Sequence, residues 1–262
     1  MILGVEMTRI IAVASGKGGA GKTSITANLG ASLAHMGYDT IILDGNLTTP
    51  NLGMHFGIAL YPTTLHDVLK GKAHISQSIY KHKSGLKIIP AGISLNDLRG
   101  VDARDLPGAM LDLLGLADIV LVDVAAGLGR EALSAIESAD EMIVVTNPEM
   151  PTVADALKAI KLAQKVGTKV TGVIVNRVKG HKYEMSMKDV QTMLDDTQII
   201  GQVPEDDSFH LSLKNKNPVV FSKPYSKAGR ELRRISAGIV NLDQSMFEQE
   251  TSPWYKRLFG FN

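Results

Sequence analysis

Apolar residues fall along the chain in short unbroken runs, separated by stretches with helical spacing. The runs are RIIAVA (9–14), YDTIIL (38–43), LKIIP (86–90), DIVLV (118–122), EMIVVT (141–146), KVTGVIVN (169–176) and IIGQV (199–203). Several are continuous rather than alternating, which is the pattern of strands buried on both faces of a mainly parallel sheet. Between them the spacing predicts helices over 22–36, 64–70, 105–114, 130–137, 152–166, 183–194 and 226–240, with Gly37 as a C-cap behind the first. Alternating strands and helices with right-handed crossovers give a doubly wound α/β fold, with helices on both faces of the sheet. No internal repeat or low-complexity segment interrupts 8–240, so 1–240 reads as the folded domain. Beyond it, 241–253 (NLDQSMFEQETSP) is polar and acidic and reads as a flexible linker, and 254–262 (WYKRLFGFN) is a short aromatic and basic tail.

Composition narrows the chemistry. With 28 Lys+Arg against 27 Asp+Glu the net charge is +1, which excludes a broadly basic nucleic-acid coat but not a local patch. The absence of cysteine removes a disulfide scaffold, a Cys-based zinc site, an iron–sulfur cluster and a thiol nucleophile. No G-x-S-x-G or H-E-x-x-H occurs. The histidines (His35, His55, His66, His74, His82, His181 and His210) show no metal-ligand spacing and are expected at surface or loop positions. There is no apolar run of ~18 residues to span a bilayer, and MILGVEMTR lacks the features of a signal peptide. Residues 1–6 read as an alternative start before Met7 or as a lead-in to the first strand. The expected compartment is the cytoplasm.

The sharpest signal is GKGGAGKT at 16–23, directly after a strand and opening a helix. It fits G-x-x-x-x-G-K-[ST]. Glycines let successive backbone N–H groups turn inward onto phosphate oxygens, and the helix adds its positive N-terminal end. Lys22 is placed to contact the β- and γ-phosphates and Thr23 to ligate Mg²⁺. Gly16, Gly18 and Gly21 also match the dinucleotide pattern G-x-G-x-x-G, with Asp44 at a strand end where a ribose-binding acid would stand. A dinucleotide loop has no use for Lys-Thr after its last glycine, so the Mg-nucleotide reading is preferred. Asp44 and Asp123 each close an apolar strand, where ligands bind in α/β sheets, and Asp123 is placed to hold Mg²⁺. A phosphate loop needs one lysine, so Lys17 calls for another role.

Taken together, these residues resemble the deviant Walker A ATPases of the MinD/ParA family of P-loop NTPases. SGKGGAGKT is similar to the family's loop, ILDGNLTTPNLG (42–53) to its switch I, and LVDVAAGLGREAL (121–133) to its switch II. VTNPEMPTVADALK (145–158), GVIVNR (172–177) and VPED (203–206) look like MinD segments. The resemblance implies an ATPase using ATP and Mg²⁺, with Gly18, Gly19, Ala20, Gly21, Lys22, Thr23 and Ser24 around the phosphates. It implies that Thr23, Asp44 and Asp123 serve the metal. Lys17 would reach the phosphates of a second subunit in a face-to-face, ATP-dependent homodimer. Asn176 would bind adenine, with Arg177 beside it and Pro204, Glu205 and Asp206 closing over the base. Two departures stand out. Switch I usually carries Asp-x-Asp, but here Asn46 follows Asp44 and Gly45. Asn46 can position water but cannot take its proton, so slow hydrolysis is expected. Ala125 stands where switch II normally has proline.

In the tail, Trp254, Leu258 and Phe261 recur at helical spacing, with Tyr255 and Phe259 flanking and Lys256 and Arg257 between. Such a segment, ~13 Å long as a helix, suits the headgroup zone of an anionic membrane rather than a span. It resembles the membrane-targeting tail of MinD proteins. A dimer would double its grip through effective concentration, giving a cytoplasmic ATPase peripherally attached to the inner face of the cell membrane that positions an unidentified protein partner. The competing reading is a ParA-type ATPase using a basic stretch at 223–234 (KPYSKAGRELRR) on nucleoid DNA. The aromatic tail makes a nucleic-acid partner the weaker expectation. A third reading is an ATP-binding switch with negligible hydrolysis.

Overall fold

The computed structural model describes residues 7–57 and 60–244; the start at residues 1–6, the expected membrane-binding segment Trp254 to Phe261 and most of the expected linker 241–253 lie outside them. The chain runs through β1 (Arg9–Ala14), α1 (Lys22–His35), β2 (Thr40–Gly45), α2 (Leu65–Leu69), β3 (Tyr80–Lys81), β4 (Lys87–Ile89), α3 (Leu95–Leu98), α4 (Leu106–Leu111) and β5 (Ile119–Val124). It continues through α5 (Arg130–Glu137), β6 (Glu141–Thr146), α6 (Met150–Val166), β7 (Lys169–Val178), α7 (Met187–Met193), β8 (Ile199–Pro204), α8 (Ser208–Lys214), α9 (Val219–Ser222) and α10 (Lys227–Ile239). The eight strands form one sheet in the order β3-β4-β2-β5-β1-β6-β7-β8, parallel except for the antiparallel edge strand β3.

The doubly wound expectation is met, and the continuous apolar runs explain it. In β1, Ile10, Ala12 and Ala14 enter one buried cluster while Ile11 and Val13 enter another on the opposite face. The first cluster is covered by α4, α5 and α6 and the second by α1 and α10. Burying each Ile or Val contributes about 1.5–3 kcal/mol, so a strand that serves both layers cannot alternate apolar with polar. Among the described residues no helix is long and apolar enough to cross a membrane.

Several boundaries differ from the sequence expectation. The second strand begins at Thr40 rather than 38, because α1 ends in a left-handed Gly37 (φ +95°) and the Tyr38 N–H returns to Leu33 O at 3.2 Å. The seventh helix begins at Met187 rather than 183, since Ser186 Oγ caps it by accepting from Asp189 N–H. Before it, the Glu184 carboxylate takes the N–H groups of Lys179 and Gly180, which holds 179–184 as a turn. His66 corrects the expectation that every histidine is at a surface or loop. It lies in α2 with no exposed area, its Nδ1 accepting from Gly92 N–H at 2.8 Å and its Nε2 donating to Leu47 O at 3.1 Å. Burial pushes its pKa below the usual histidine value. Past α10 the chain turns back: Leu242 N–H donates to Ala237 O and Arg234 Nη1 to Gln244 Oε1.

Candidate nucleotide site

The loop from Gly16 to Gly21 joins β1 to α1 at the C-terminal ends of the parallel strands, with β5 and β6 on either side of β1. Gly19 and Gly21 have φ of +89° and +87°, a region that a Cβ resists. The first turn of α1 carries no side-chain cap and no acid, so its N–H groups are open to an outside acceptor such as phosphate. Lys22 is buried with its Nζ 2.5 Å from Asp123 Oδ1, and Thr23 Oγ1 donates to Asp123 Oδ2 at 2.7 Å. Asp44 is the register partner of Asp123 on the adjacent strand. Its carboxylate accepts from the N–H groups of Asn46, Asn51 and Leu52 at 3.2, 3.0 and 2.9 Å, which fastens switch I to the end of β2. Burial first, and then the Asp123 carboxylate, push the Asp44 pKa up to about 7.

Two buried carboxylates facing a single lysine leave the site short of positive charge. A hydroxyl and two carboxylates form a hard-oxygen set that fits Mg²⁺, which keeps several waters and takes phosphate oxygens to complete its shell. Thr23, Asp123 and Asp44 are the residues that would hold it. When bound, the ion supplies charge neutralisation of the phosphates.

A cleft of about 310 Å³ opens over the loop, lined among others by Gly18, Gly19, Ala20, Gly21, Asn46 and Ala126. A second cavity of about 130 Å³ adjoins it, with Gly21, Ser24 and Arg177 common to both. It is lined also by Asn176, Pro204, Glu205 and Asp206, which the resemblance assigned to the base. Asn176 is buried, and its Nδ2 donates to Ala20 O at 2.8 Å. A Cβ on Gly21 would fall 2.3 Å from that nitrogen, so the close approach requires glycine. Asn176 Oδ1 is buried with no hydrogen-bond partner. A buried acceptor of this kind is costly unless a ligand donates to it, and the exocyclic amino group of adenine is such a donor. Arg177 holds a left-handed φ of +58° and shifts the β7–β8 register just before β7 ends. Asp206 lines the cavity, but its carboxylate accepts from Ser208 N–H at 2.9 Å and Ala228 N–H at 3.3 Å, pinning the starts of α8 and α10.

The sequence-derived phosphate and base residues thus meet in two adjoining cavities. Lys17 does not line them: it is exposed and has no ion-pair partner among the described residues. Asn46 faces the phosphate cleft, with its amide bonded to Thr49 through Nδ2 to O at 2.8 Å and from the Thr49 N–H to Oδ1 at 3.2 Å. Ala125 does not unfasten switch II, because Gly127 (φ +86°) still donates its N–H to Ser15 O at 3.1 Å. Sequence reasoning missed Phe209 and His210 in the base cavity and His55 in the phosphate cleft. The Asp-x-Ser start of α8 was a usable helix-cap signal for the first two.

The ParA family model, described as NUBPL iron-transfer P-loop NTPase, matches residues 6–240. Iron transfer has no footing in this chain's thiols, since it has no cysteine. An uncharacterised ATP-binding protein of Methanocaldococcus jannaschii is 39% identical over 259 residues, covering 97% of this chain and 98% of that protein. The septum site-determining protein MinD of Pyrococcus horikoshii OT3, complexed with Mg-ADP, superimposes with a TM-score of 0.85 at 34% identity, covering 88% of this chain and 96% of that one. MinD in a MinC:MinD cell division complex of Aquifex aeolicus gives 0.79 at 28% identity, covering 90% and 96%. With the phosphate loop, the paired carboxylates and the adjoining cavity in place, the chain belongs to the ParA family of P-loop NTPases, as a MinD-type ATPase that uses ATP and Mg²⁺.

Proposed function

We propose that this ATPase works as a nucleotide-driven switch: it binds Mg·ATP, dimerises face to face across two nucleotides, and attaches to anionic membrane through its tail. On that surface it positions a protein partner. The observation that carries this reading is the contrast between the two loop lysines. Lys22 is buried on Asp123, whereas Lys17 is exposed, unpaired among the described residues and outside the lining of its own cleft. A second subunit's phosphates would give that cation its partner. Membrane attachment is supported by the amphipathic pattern of Trp254, Tyr255, Lys256, Arg257, Leu258, Phe259 and Phe261. Two such tails on one dimer bind far better than one. The nucleic-acid alternative draws less support from α10, where Arg230 is bonded to Tyr225 O and Arg234 to Glu231, Gln244 and Ile200 O.

Light scattering after size exclusion tests the switch. The wild-type chain should double in mass with ATP and Mg²⁺ and stay single with ADP, and Lys17→Ala should stay single throughout. Equal masses under all conditions would remove the dimer from the account.

Turnover is expected to be slow because Asn46 cannot accept a proton from the attacking water. Asn46→Asp should raise the steady-state ATPase rate by about a hundredfold, the lower end of the range for general-base effects. A rate equal to wild type would show that another step limits the cycle.

A further inference from the structure

We propose that His55 is a nucleotide-binding residue whose imidazole N–H donates a hydrogen bond to a phosphate oxygen of the bound nucleotide. This deepens the reading of the site as an ATP site and does not require the dimer. The 3₁₀ helix Leu52–Phe56 brings His55 into the wall of the phosphate cleft, across from the loop glycines, Lys22 and Thr23. The start of that helix is fastened to the metal-side carboxylate, since Asp44 Oδ2 accepts from both Asn51 and Leu52 N–H. Its far end is set by a left-handed Gly57 (φ +77°), where a Cβ would fall 2.7 Å from the Lys216 side chain. The flanking Phe56 is buried in the α1-side core. His55 is therefore carried on a short element fixed at both ends.

The ring itself is half-buried, and none of the side-chain hydrogen bonds or ion pairs among the described residues involves it. His66, His74 and His82, by contrast, each have a ring nitrogen hydrogen-bonded within the protein. Desolvation holds the His55 pKa below the ordinary value, against an opposing pull from Asp123. A neutral imidazole has one donor and one acceptor. The cleft is lined also by the loop glycines, Lys22, Thr23 and Arg177, a set suited to phosphate oxygens, and the ring's donor meets those oxygens.

The test is ADP and ATP affinity by calorimetry with Mg²⁺, on full-length His55→Phe and His55→Gln. ADP is the decisive ligand because it binds without the proposed dimer. A lost hydrogen bond to a charged acceptor predicts that His55→Phe binds ADP about tenfold to a hundredfold more weakly, whereas His55→Gln, which keeps an N–H donor, recovers most of that loss. Weakening confined to ATP would assign the contact to the γ-phosphate and also support the proposal. If His55→Phe matches the wild type for both nucleotides, the ring is a packing element and the proposal fails. If His55→Phe and His55→Gln lose affinity equally, the role is steric and the proposal fails as well. Melting curves of both variants with and without ADP separate affinity changes from loss of the fold.

Discussion

Lys22→Ala is expected to cut ATP turnover by about a thousandfold or more, the upper end of what one preorganised charge at a reacting centre contributes. It should also destabilise the nucleotide-free chain. Lys22 and Asp123 are 6% and 0% exposed and 2.5 Å apart, so the alanine variant leaves a buried carboxylate with only threonine hydroxyls as donors. Asp44 is beside it on the adjacent strand. Removing one member of a buried ion pair costs about 3–5 kcal/mol, because the remaining charge is uncompensated. Urea denaturation should show this loss. The double variant Lys22→Met/Asp123→Leu should regain most of the stability and none of the activity, since the stranded charge is gone along with the chemistry. Lys22→Ala with wild-type stability would mean that water reaches Asp123 freely once the lysine is gone.

The sequence was most readable where chemistry occupies consecutive positions. The loop from Gly16 to Thr23 was legible because a phosphate site built on one strand–helix turn needs its residues in a row, and Asp44 and Asp123 because each closes a continuous apolar run. Both-face burial made the parallel strands readable as continuous apolar runs. What stayed hidden depends on tertiary approach. His66 reads from sequence as a surface or loop residue, but the Leu47 and Gly92 backbones that satisfy its ring lie 19 and 26 positions away. His55 reaches the cleft only because Asp44 pulls the start of its 3₁₀ helix against β2. Phe209 and His210 belong to a helix too short to show periodicity. The second function of Asp44, anchoring the N–H groups of Asn51 and Leu52, depends on a loop path that composition does not specify.

Gly16→Ala should be among the most damaging single-atom-group changes in the protein. Gly16 opens the phosphate loop, yet the reason it must be glycine lies in α6. A Cβ there would stand 2.2 Å from both the carbonyl carbon and the carbonyl oxygen of Asp155. Those are backbone atoms in the first turns of a 17-residue helix, so they cannot swing aside as a side-chain tip could. The loop has to yield, and displacing it by even about 1 Å moves the N–H groups off the phosphate positions, a misplacement that can cost about a hundredfold in function. Overpacking of this kind destabilises by about 3 kcal/mol, which for a domain of this size lowers the melting temperature by about 6–12 °C. Gly18→Ala is the internal comparison. Its Cβ would be 3.9 Å from that of Ala126, an ordinary contact, and it should melt within a degree or two of the wild type. The two substitutions add the same methyl group two residues apart in the same loop. If they melt alike, the approach of α6 is softer than its backbone geometry implies. If only Gly16→Ala collapses, the loop is held from behind by α6, and the helix after β6 becomes part of the machinery that keeps the phosphate-binding N–H groups in place.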